Sequence, residues 1–223
     1  VTLGTMVANL VGGWVTDMFD WRTAFFVVGL PGLLVALVFK LTVKEPPRGY
    51  TDPPNVQALE KASMKDVFKI LAEKPTFWHI VAGATVASFV GYGVAQFTTS
   101  FLVRTHGLSI ETAAILFGVI IGLMAAIGVF LSGYLADRFA TRHPRALCWM
   151  PALGMGLSVP LYAMGYLAPT VWLALPPLMA AATLHYFYLG PMYAIVGGVV
   201  DSRMRATSVA ITLFLVNLLG YGL

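Results

Sequence analysis

The sequence predicts an all-α, polytopic transmembrane helix bundle, and three observations carry that prediction. Of its 223 residues, 58% are hydrophobic and only 11% are charged, whereas a soluble domain has about 25% charged residues. The uncharged stretches are long, and crossing about 30 Å of hydrocarbon takes roughly 20 helical residues. These stretches do not alternate apolar and polar residues, as the strands of a membrane barrel would.

The same composition excludes several other classes of protein. So few charged residues could not cover the surface of a soluble globule of this size, and they fit neither a disordered chain nor a coiled coil. The one cysteine, Cys148, excludes a disulfide scaffold and a Cys/His zinc site. The sequence therefore predicts no metal site, no cofactor and no catalytic residue.

Five stretches contain no Asp, Glu, Lys or Arg. They are residues 23–39, 75–103, 112–136, 146–200 and 206–223. The fourth is long enough for two crossings, with a turn predicted near Pro169. We predict spans at roughly 1–16, 21–43, 77–103, 110–136, 145–167, 171–199 and 206–223. The chain starts and ends inside apolar stretches, so we expect the first and last spans to be partial and the chain to be a fragment of a larger protein.

The basic residues predict how the bundle is oriented. Twelve of the fourteen Lys and Arg residues fall in connections on one side of the predicted membrane, and only Arg22 and Arg104 fall on the other. Lys and Arg mark the cytoplasmic side. The net charge of +4 is thereby explained by topology, and no nucleic-acid partner is expected.

The longest polar segment, residues 44–76, separates two helical blocks. Prolines within 45–49 and 52–54 predict the end of the second span and an extended linker. Residues 63–74 then have the spacing of apolar and polar residues that is typical of an amphipathic helix, with Val67, Phe68 and Leu71 among the apolar residues. Such a helix would lie along the lipid headgroups, and the alternative is a soluble linker helix.

The most informative local pattern lies where the fourth span reaches the cytoplasm. It has the form Gly-x-x-x-Asp-Arg-x-x-x-Arg and consists of Gly133, Asp137, Arg138 and Arg142. An Arg can hold a carboxylate in a bidentate pair, and an Asp is stabilised at a helix N-terminus. Asp201, at the cytoplasmic end of the sixth span, is the expected partner in a latch between helix ends. The alternative is that these are ordinary positive-inside residues.

This pattern resembles the signature loop of the major facilitator superfamily, in the copy between helices 8 and 9. Further segments are similar to the spinster-like branch of that superfamily: residues 12–14, 20–26, 29–32, 44–49, 203–208 and 217–220. One departure is that Ala140 and Thr141 stand where the fuller signature has Gly-Arg, which implies a weaker latch.

The resemblance covers essentially the whole chain and implies helices 5 to 11 of a twelve-helix transporter. Residues 1–43 would then end the N-terminal block, as a partial helix 5 and helix 6. Residues 44–76 would be the cytoplasmic central loop with its interfacial helix. Residues 77–223 would form the C-terminal block, as helices 7–10 and a partial helix 11. The implied fold is of the major facilitator type, incomplete at both ends.

Polar side chains within spans are costly and often functional. Helical spacing puts Ser88, Tyr92 and Gln96 on one face of the third span, followed by Thr99. On the sixth span, polar residues cluster near Gly190 and Pro191, where we expect a kink that frees a backbone carbonyl; they are Thr183, His185, Tyr186, Tyr188 and Tyr193.

The resemblance implies that these two spans are helices 7 and 10, which line the central cavity of the superfamily. The substrate-cavity candidates are therefore Ser88, Tyr92, Gln96, His185, Tyr186 and Tyr193. The alternative is that the same side chains form hydrogen bonds between helices.

We therefore expect a secondary transporter of a small, amphipathic or hydrophobic organic solute that works by alternating access. An embedded enzyme would need paired acids or a His cluster, and the spans offer one His and no acid. If protons drive transport, the coupling acid is expected in helices 1–4, with His185 as the local alternative. We expect a monomer in the bilayer of a bacterial inner membrane. The alternative is a non-transporting membrane sensor or an inactive truncated product.

Overall fold

A computed structural model describes residues 2–44, 63–143 and 145–221, which are almost all helical and contain no strand. The helices are α1 Thr2–Met18, α2 Trp21–Thr42, α3 Met64–Ala72, α4 Pro75–His106, α5 Ile110–Phe117, α6 Ala125–Ala140, α7 Ala146–Tyr166, α8 Val171–His185, α9 Leu189–Val199 and α10 Arg205–Tyr221. The predicted all-α bundle is confirmed. The proline-rich stop at 45–49 and the linker at 52–54 lie outside the described residues.

Five of the described helical segments are long and apolar enough to cross a membrane: Trp21–Thr42, Pro75–His106, Ile110–Ala140, Ala146–Tyr166 and Ser202–Tyr221. The last has 20 residues, which is about the length of one crossing. The predicted span 171–199 consists instead of α8, a 3-10 turn at Tyr186–Tyr188, and α9.

Local sequence explains where several helices begin and end. The Asp20 carboxylate accepts a hydrogen bond of 2.6 Å from the Thr23 N–H and caps α2. The Ser109 hydroxyl caps α5 in the same way, at 3.2 Å from the Thr112 nitrogen. Pro75 occupies the first turn of α4, where its missing N–H costs nothing. Gly107 ends α4 with a left-handed φ of +67°.

Two irregular segments interrupt the bundle at mid-depth. A π-helical segment, Gly118–Met124, joins α5 to α6, and the 3-10 turn Tyr186–Tyr188 joins α8 to α9. A kink was expected at Pro191. The helix is interrupted near this residue, and the interruption begins five residues earlier, at Tyr186. Proline has no N–H to offer the carbonyl four residues before it, which here is that of Phe187, inside the 3-10 turn.

The core has two buried clusters. One, named here the cytoplasmic cluster, lies towards the helix ends that are predicted to be cytoplasmic and includes Phe77, Val81, Met192, Met204 and Val216. The other joins the π segment to α7 and α8 through Ile120, Ile121, Tyr162, Ala174, Leu178, Ala181 and Ala182. At the N-terminal side, α1 packs against α2, α5 and the π segment.

The amphipathic helix α3 docks on the bundle through part of its apolar face. Val67 and Leu71 are fully buried in the cytoplasmic cluster, whereas Met64 and Phe68 are 71% and 51% exposed. The N-terminus is closed by a capping box, in which Ser63 and Asp66 each accept a hydrogen bond from the other's backbone N–H. The helix therefore contacts α4 and α10 directly, rather than only neighbouring solvent or lipid.

Two cations cap the C-terminus of α9. The Lys74 ammonium donates a hydrogen bond to the Val199 carbonyl, and the Arg205 Nε donates to the Gly197 carbonyl at 3.0 Å. Positive groups are favourable at this end of a helix, where carbonyls lack intrahelical partners. The last residue before α4 is thus hydrogen-bonded to the C-terminal end of α9.

Candidate solute-binding cavity

A cavity of about 760 Å³ opens between the two core clusters. Its wall is built from α4, the end of α5 with the π segment, α6, the end of α8, the 3-10 turn, α9 and α10. Among the described residues that line it, none is Asp, Glu, Lys or Arg. A space of this size falls within the range of small-molecule sites, which are mostly apolar with a few placed polar groups.

All six predicted cavity residues lie on this wall: Ser88, Tyr92 and Gln96 from α4, His185 from the end of α8, Tyr186 from the 3-10 turn and Tyr193 from α9. Tyr92 and Tyr193 are 42% and 43% exposed, while Ser88 is buried. The geometry brings these side chains together, and their contact with a solute stays a prediction.

Two other polar residues considered with them do not line the cavity. Thr99 is one turn beyond Gln96 and is absent from the wall. The Thr183 hydroxyl donates a hydrogen bond of 3.0 Å to the Met179 carbonyl of its own helix. Thr183 therefore satisfies its hydroxyl locally, as Thr often does in helices.

His185 is the most enclosed polar side chain of the site, at 3% exposure. Its ring makes edge contacts with Tyr186, Tyr188 and Tyr162, with centroids 5.5 to 6.1 Å apart. Gly91 on α4 leaves room for it, because a Cβ there would lie 3.1 Å from the imidazole Nε2. Three tyrosine rings thus surround the imidazole, which is buried in the cavity wall.

The cavity also has walls that sequence reasoning missed. Leu213, Asn217 and Tyr221 of α10 contribute to it, and the Tyr221 ring contacts that of Tyr92 edge-on. Their spacing of four residues marks one helix face and could have revealed them. The π segment adds Ile121, for which the sequence offered no comparable signal.

The wall offers hydroxyl, amide, imidazole and aromatic groups, with no ionic partner among the described residues. Such groups form hydrogen bonds and ring contacts with a neutral solute. Within the described ranges, no three His, Cys, Asp or Glu side chains come together as a metal ion would require.

Asp137, Arg138, Arg142 and Asp201 lie at helix ends that are predicted to be cytoplasmic, whereas Gly133 lies seven residues before the end of α6. Gly133 packs against α9, since a Cβ on Gly190 would come within 3.1 Å of the Gly133 nitrogen. Asp137, Arg138 and Arg142 are exposed near the end of α6.

The observed partners of the latch residues differ from the expected pairing. Arg138 donates to the Tyr134 hydroxyl at 3.3 Å, while the Asp201 carboxylate lies 3.9 Å from Arg203. Among the residues that the structure describes, no ion pair joins Arg138 or Arg142 to Asp201. The latch therefore stays a prediction, for a state in which the helix ends that carry Arg138 and Asp201 lie closer together.

Comparison with known proteins decides the family. The family model of the Major Facilitator Superfamily matches residues 1–223. The chain belongs to the Major Facilitator Superfamily. This confirms the resemblance seen in the sequence, and it makes the chain part of an integral, multi-pass membrane protein of a transporter superfamily.

Curated relatives within the superfamily include spinster proteins. The chain is 28% identical over 215 residues to an MFS-type efflux pump of Mycolicibacterium smegmatis, covering 96% of this chain and 49% of the pump. It is 26% identical over 236 residues to protein spinster homolog 3 of Danio rerio, covering 99% of this chain and 47% of that protein. The chain thus spans about half the length of these relatives.

Solved structures of a bacterial homolog of the human lysosomal transporter Spinster have the same fold. The inward-facing, unoccupied structure matches with a TM-score of 0.73 and 39% identity, over 99% of this chain and 48% of that one. The inward-facing, occupied structure matches with a TM-score of 0.68 and 36% identity, over 99% and 49%. The spinster-like placement is confirmed.

Proposed function

We propose that this chain forms part of a secondary active transporter that moves a small amphipathic or hydrophobic organic solute by alternating access. The observation that carries the proposal is the uncharged, tyrosine-rich cavity of about 760 Å³ at the middle of the bundle. Membrane transporters place their substrate sites near the bilayer midplane, between helical repeats. A bacterial inner membrane is the proposed location, with the basic connections in the cytoplasm.

The wall chemistry supports the proposed class of solute. Burying an ion without a counter-charge is expensive, and the described wall in this half of the site provides none. Tyrosine rings supply apolar area together with a hydroxyl. A solute with an apolar body and a neutral polar end matches both.

The latch belongs to the same proposal. We assign Arg138 and Arg142 to ion pairs with Asp201 that form when the cytoplasmic side closes, while the Asp137 carboxylate accepts hydrogen bonds from a neighbouring helix N-terminus. The solved relatives described above are inward-facing, a state in which such a latch would be broken. The separate local partners of Arg138 and Asp201 in this chain agree with a broken latch.

Proton coupling, where it operates, requires a group that gains and loses charge. The described cavity wall contains no carboxylate, and His185 is its one imidazole. We place the coupling acid in the part of the transporter outside this chain, with His185 as the alternative. Uptake that keeps its pH dependence in a His185→Gln variant removes His185 from the coupling path.

The decisive experiment is transport by the full-length protein in proteoliposomes. A panel of neutral amphiphiles, organic anions and organic cations is tested with and without an imposed pH gradient. We expect transport of neutral amphiphiles, lost in Tyr92→Ala and retained in Phe89→Ala. Phe89 is on the same helix but 57% exposed and off the cavity wall. Equal transport by both variants, or transport restricted to ions, contradicts the proposal.

A further inference from the structure

Asn217 is the one amide that α10 contributes to the described cavity wall. The helix packs through a stripe at every fourth residue, and Ser208, Thr212, Val216 and Gly220 on that stripe are buried. The adjacent face, with Leu213, Asn217 and Tyr221, borders the cavity. Asn217 is exposed, so its side chain borders open space in the cavity instead of packing against a neighbouring helix.

A hydrogen bond fixes the direction of this amide. The Asn217 Nδ2 donates to the Leu213 carbonyl at 2.6 Å. A carbonyl oxygen accepts hydrogen bonds and cannot donate them, so the NH₂ end of the side chain must point towards Leu213. The oxygen Oδ1 is then held on the other side, and no donor within the described part of the chain reaches it.

The other polar groups of the wall are less selective. A tyrosine hydroxyl rotates and serves as donor or acceptor, and an unanchored amide such as Gln96 offers both ends. Asn217 differs, because one of its two N–H groups is anchored on the Leu213 carbonyl, which fixes the direction of its unpaired acceptor Oδ1. A wall position of this kind favours a solute that brings its own hydrogen-bond donor.

The absence of charged side chains from the described wall also restricts which kind of hydrogen-bond donor the solute can carry. An ammonium group would bring a positive charge, and no carboxylate among the described residues lines this cavity to balance it. A neutral hydroxyl or amide N–H fits without that cost.

We propose that Asn217 is a specificity-determining residue whose Oδ1 accepts a hydrogen bond from a hydroxyl or amide N–H on a neutral amphipathic solute. The inference rests on the proposed transport function and deepens it. Loss of one such neutral hydrogen bond weakens binding by about two- to tenfold.

The test is binding of two matched probes to the full-length protein in lipid nanodiscs. The probes are 1-lauroylglycerol, which has two hydroxyl donors, and its di-O-methyl ether, which has none. Binding to empty nanodiscs is subtracted to correct for partition into lipid. The variants are Asn217→Leu and Asn217→Met, so that a folding failure in one leaves the other. Leu218→Met is the control, since Leu218 adjoins Asn217 but is not on the wall.

We expect the wild-type protein and Leu218→Met to bind the glycerol ester about two- to tenfold more tightly than the ether. We expect both Asn217 variants to bind the two probes equally. Equal binding of the probes to the wild-type protein overturns the inference, and so does a preference that survives in the Asn217 variants.

The same measurement separates this inference from the transport function. If the wild-type protein transports a solute of the panel but binds neither probe, the inference is wrong and the transport function stands. If it transports no solute of the panel, the proposed function itself fails.

Discussion

Gly128 of α6 lies directly against the backbone carbonyl of Thr183 on α8: a Cβ at residue 128 would overlap that oxygen. The two helices therefore approach at backbone distance just before α8 gives way to the 3-10 turn. Small residues permit such contacts between helices in a membrane. Gly154 of α7 makes a similar approach from another side, since a Cβ there would lie 2.7 Å from the Leu184 carbonyl oxygen.

The first prediction concerns the contact of Gly128 with Thr183. Gly128→Ala should destabilise the protein by about 1–3 kcal/mol, because the added methyl must push two backbones apart. Gly156→Ala is the matched control, since a Cβ there meets nothing within 4 Å. Thermal unfolding in detergent measures both. Equal melting temperatures for the two variants would show that α6 and α8 are farther apart than described.

The second prediction concerns the space beside His185. In Gly91→Ala the new methyl would lie 3.1 Å from Nε2, so the imidazole must move by a few tenths of an ångström, at a cost of about 0.5–1.5 kcal/mol if it leaves its rotamer. We expect the KM for a transported neutral amphiphile to change, because His185 lines the cavity.

Gly93→Ala provides the comparison for this variant. Gly93 is on the same helix, and a Cβ there meets nothing within 4 Å. Uptake kinetics in proteoliposomes should distinguish the two variants. Identical KM values would mean that the position of His185 does not shape the site.

The third prediction tests the latch. Asp137→Asn in the full-length protein should favour the inward-open state. A carboxylate at an exposed helix N-terminus contributes about 0.3–1 kcal/mol, so the ratio of the two states should change by about fivefold at most. Glu111→Gln makes the same chemical change in the first turn of α5, at the opposite membrane side, and should have no effect.

The readout of the latch is access to the cavity from the cytoplasm. In a background in which Cys148 and any other cysteine of the full-length protein are replaced by Ser, Tyr193→Cys reports the labelling rate by a membrane-impermeant maleimide. Tyr193 lines the cavity and is exposed to it. Unchanged labelling and unchanged transport in Asp137→Asn would count against the latch.

The fourth prediction concerns docking of α3. Leu71→Ala should cost about 2–5 kcal/mol, because Leu71 is fully buried against α4 and α10. Met64→Ala, at a site 71% exposed, should change stability by less than about 0.5 kcal/mol. Hydrogen exchange of the α3 amides measures both. Equal protection in the two variants would mean that α3 is not docked.

The fifth prediction is the pH dependence of the same helix. Hydrogen bonds from the Ser63 side chain and backbone hold the pKa of the Asp66 carboxyl below its usual value, and nearby Lys69 adds to this. A lowered pKa means that the ionised carboxylate stabilises the cap above the unfolded pKa and that this stabilisation is lost as pH falls through the folded pKa.

Protection of α3 should therefore decline below about pH 4. Asp66→Asn should make protection independent of pH in that range. A decline of the same size in Asp66→Asn would assign the effect to another group.

Much of this fold could be predicted because membrane crossing imposes long uncharged helices. The third span was predicted at 77–103, and α4 extends a few residues further at both ends. The π segment could not be predicted, since residues such as Gly118 and Gly122 also fit an ordinary α-helix. Its geometry depends on packing, including the approach of Met6 to Gly122.

The cavity was predictable where polar residues repeat on one helix face, as Ser88, Tyr92 and Gln96 do. Asn217 was not among the predicted cavity residues, because it lies alone among the apolar residues 213–219. The partner of Asp201 also could not be predicted from the sequence. Arg203 lies only two residues away and competes with Arg138 for the Asp201 carboxylate.

The π segment between α5 and α6 has a consequence for changes in chain length. Each residue turns an α-helix by about 100°, so a deletion in a regular stretch would rotate everything beyond it off its packing face. A π-helical turn contains more residues than an α-helical turn. Removing one residue from Gly118–Met124 would therefore let the backbone adopt regular α-helical geometry. This seven-residue stretch is therefore the place in the long span where the chain could lose one residue while Val129 and the residues after it keep their packing face.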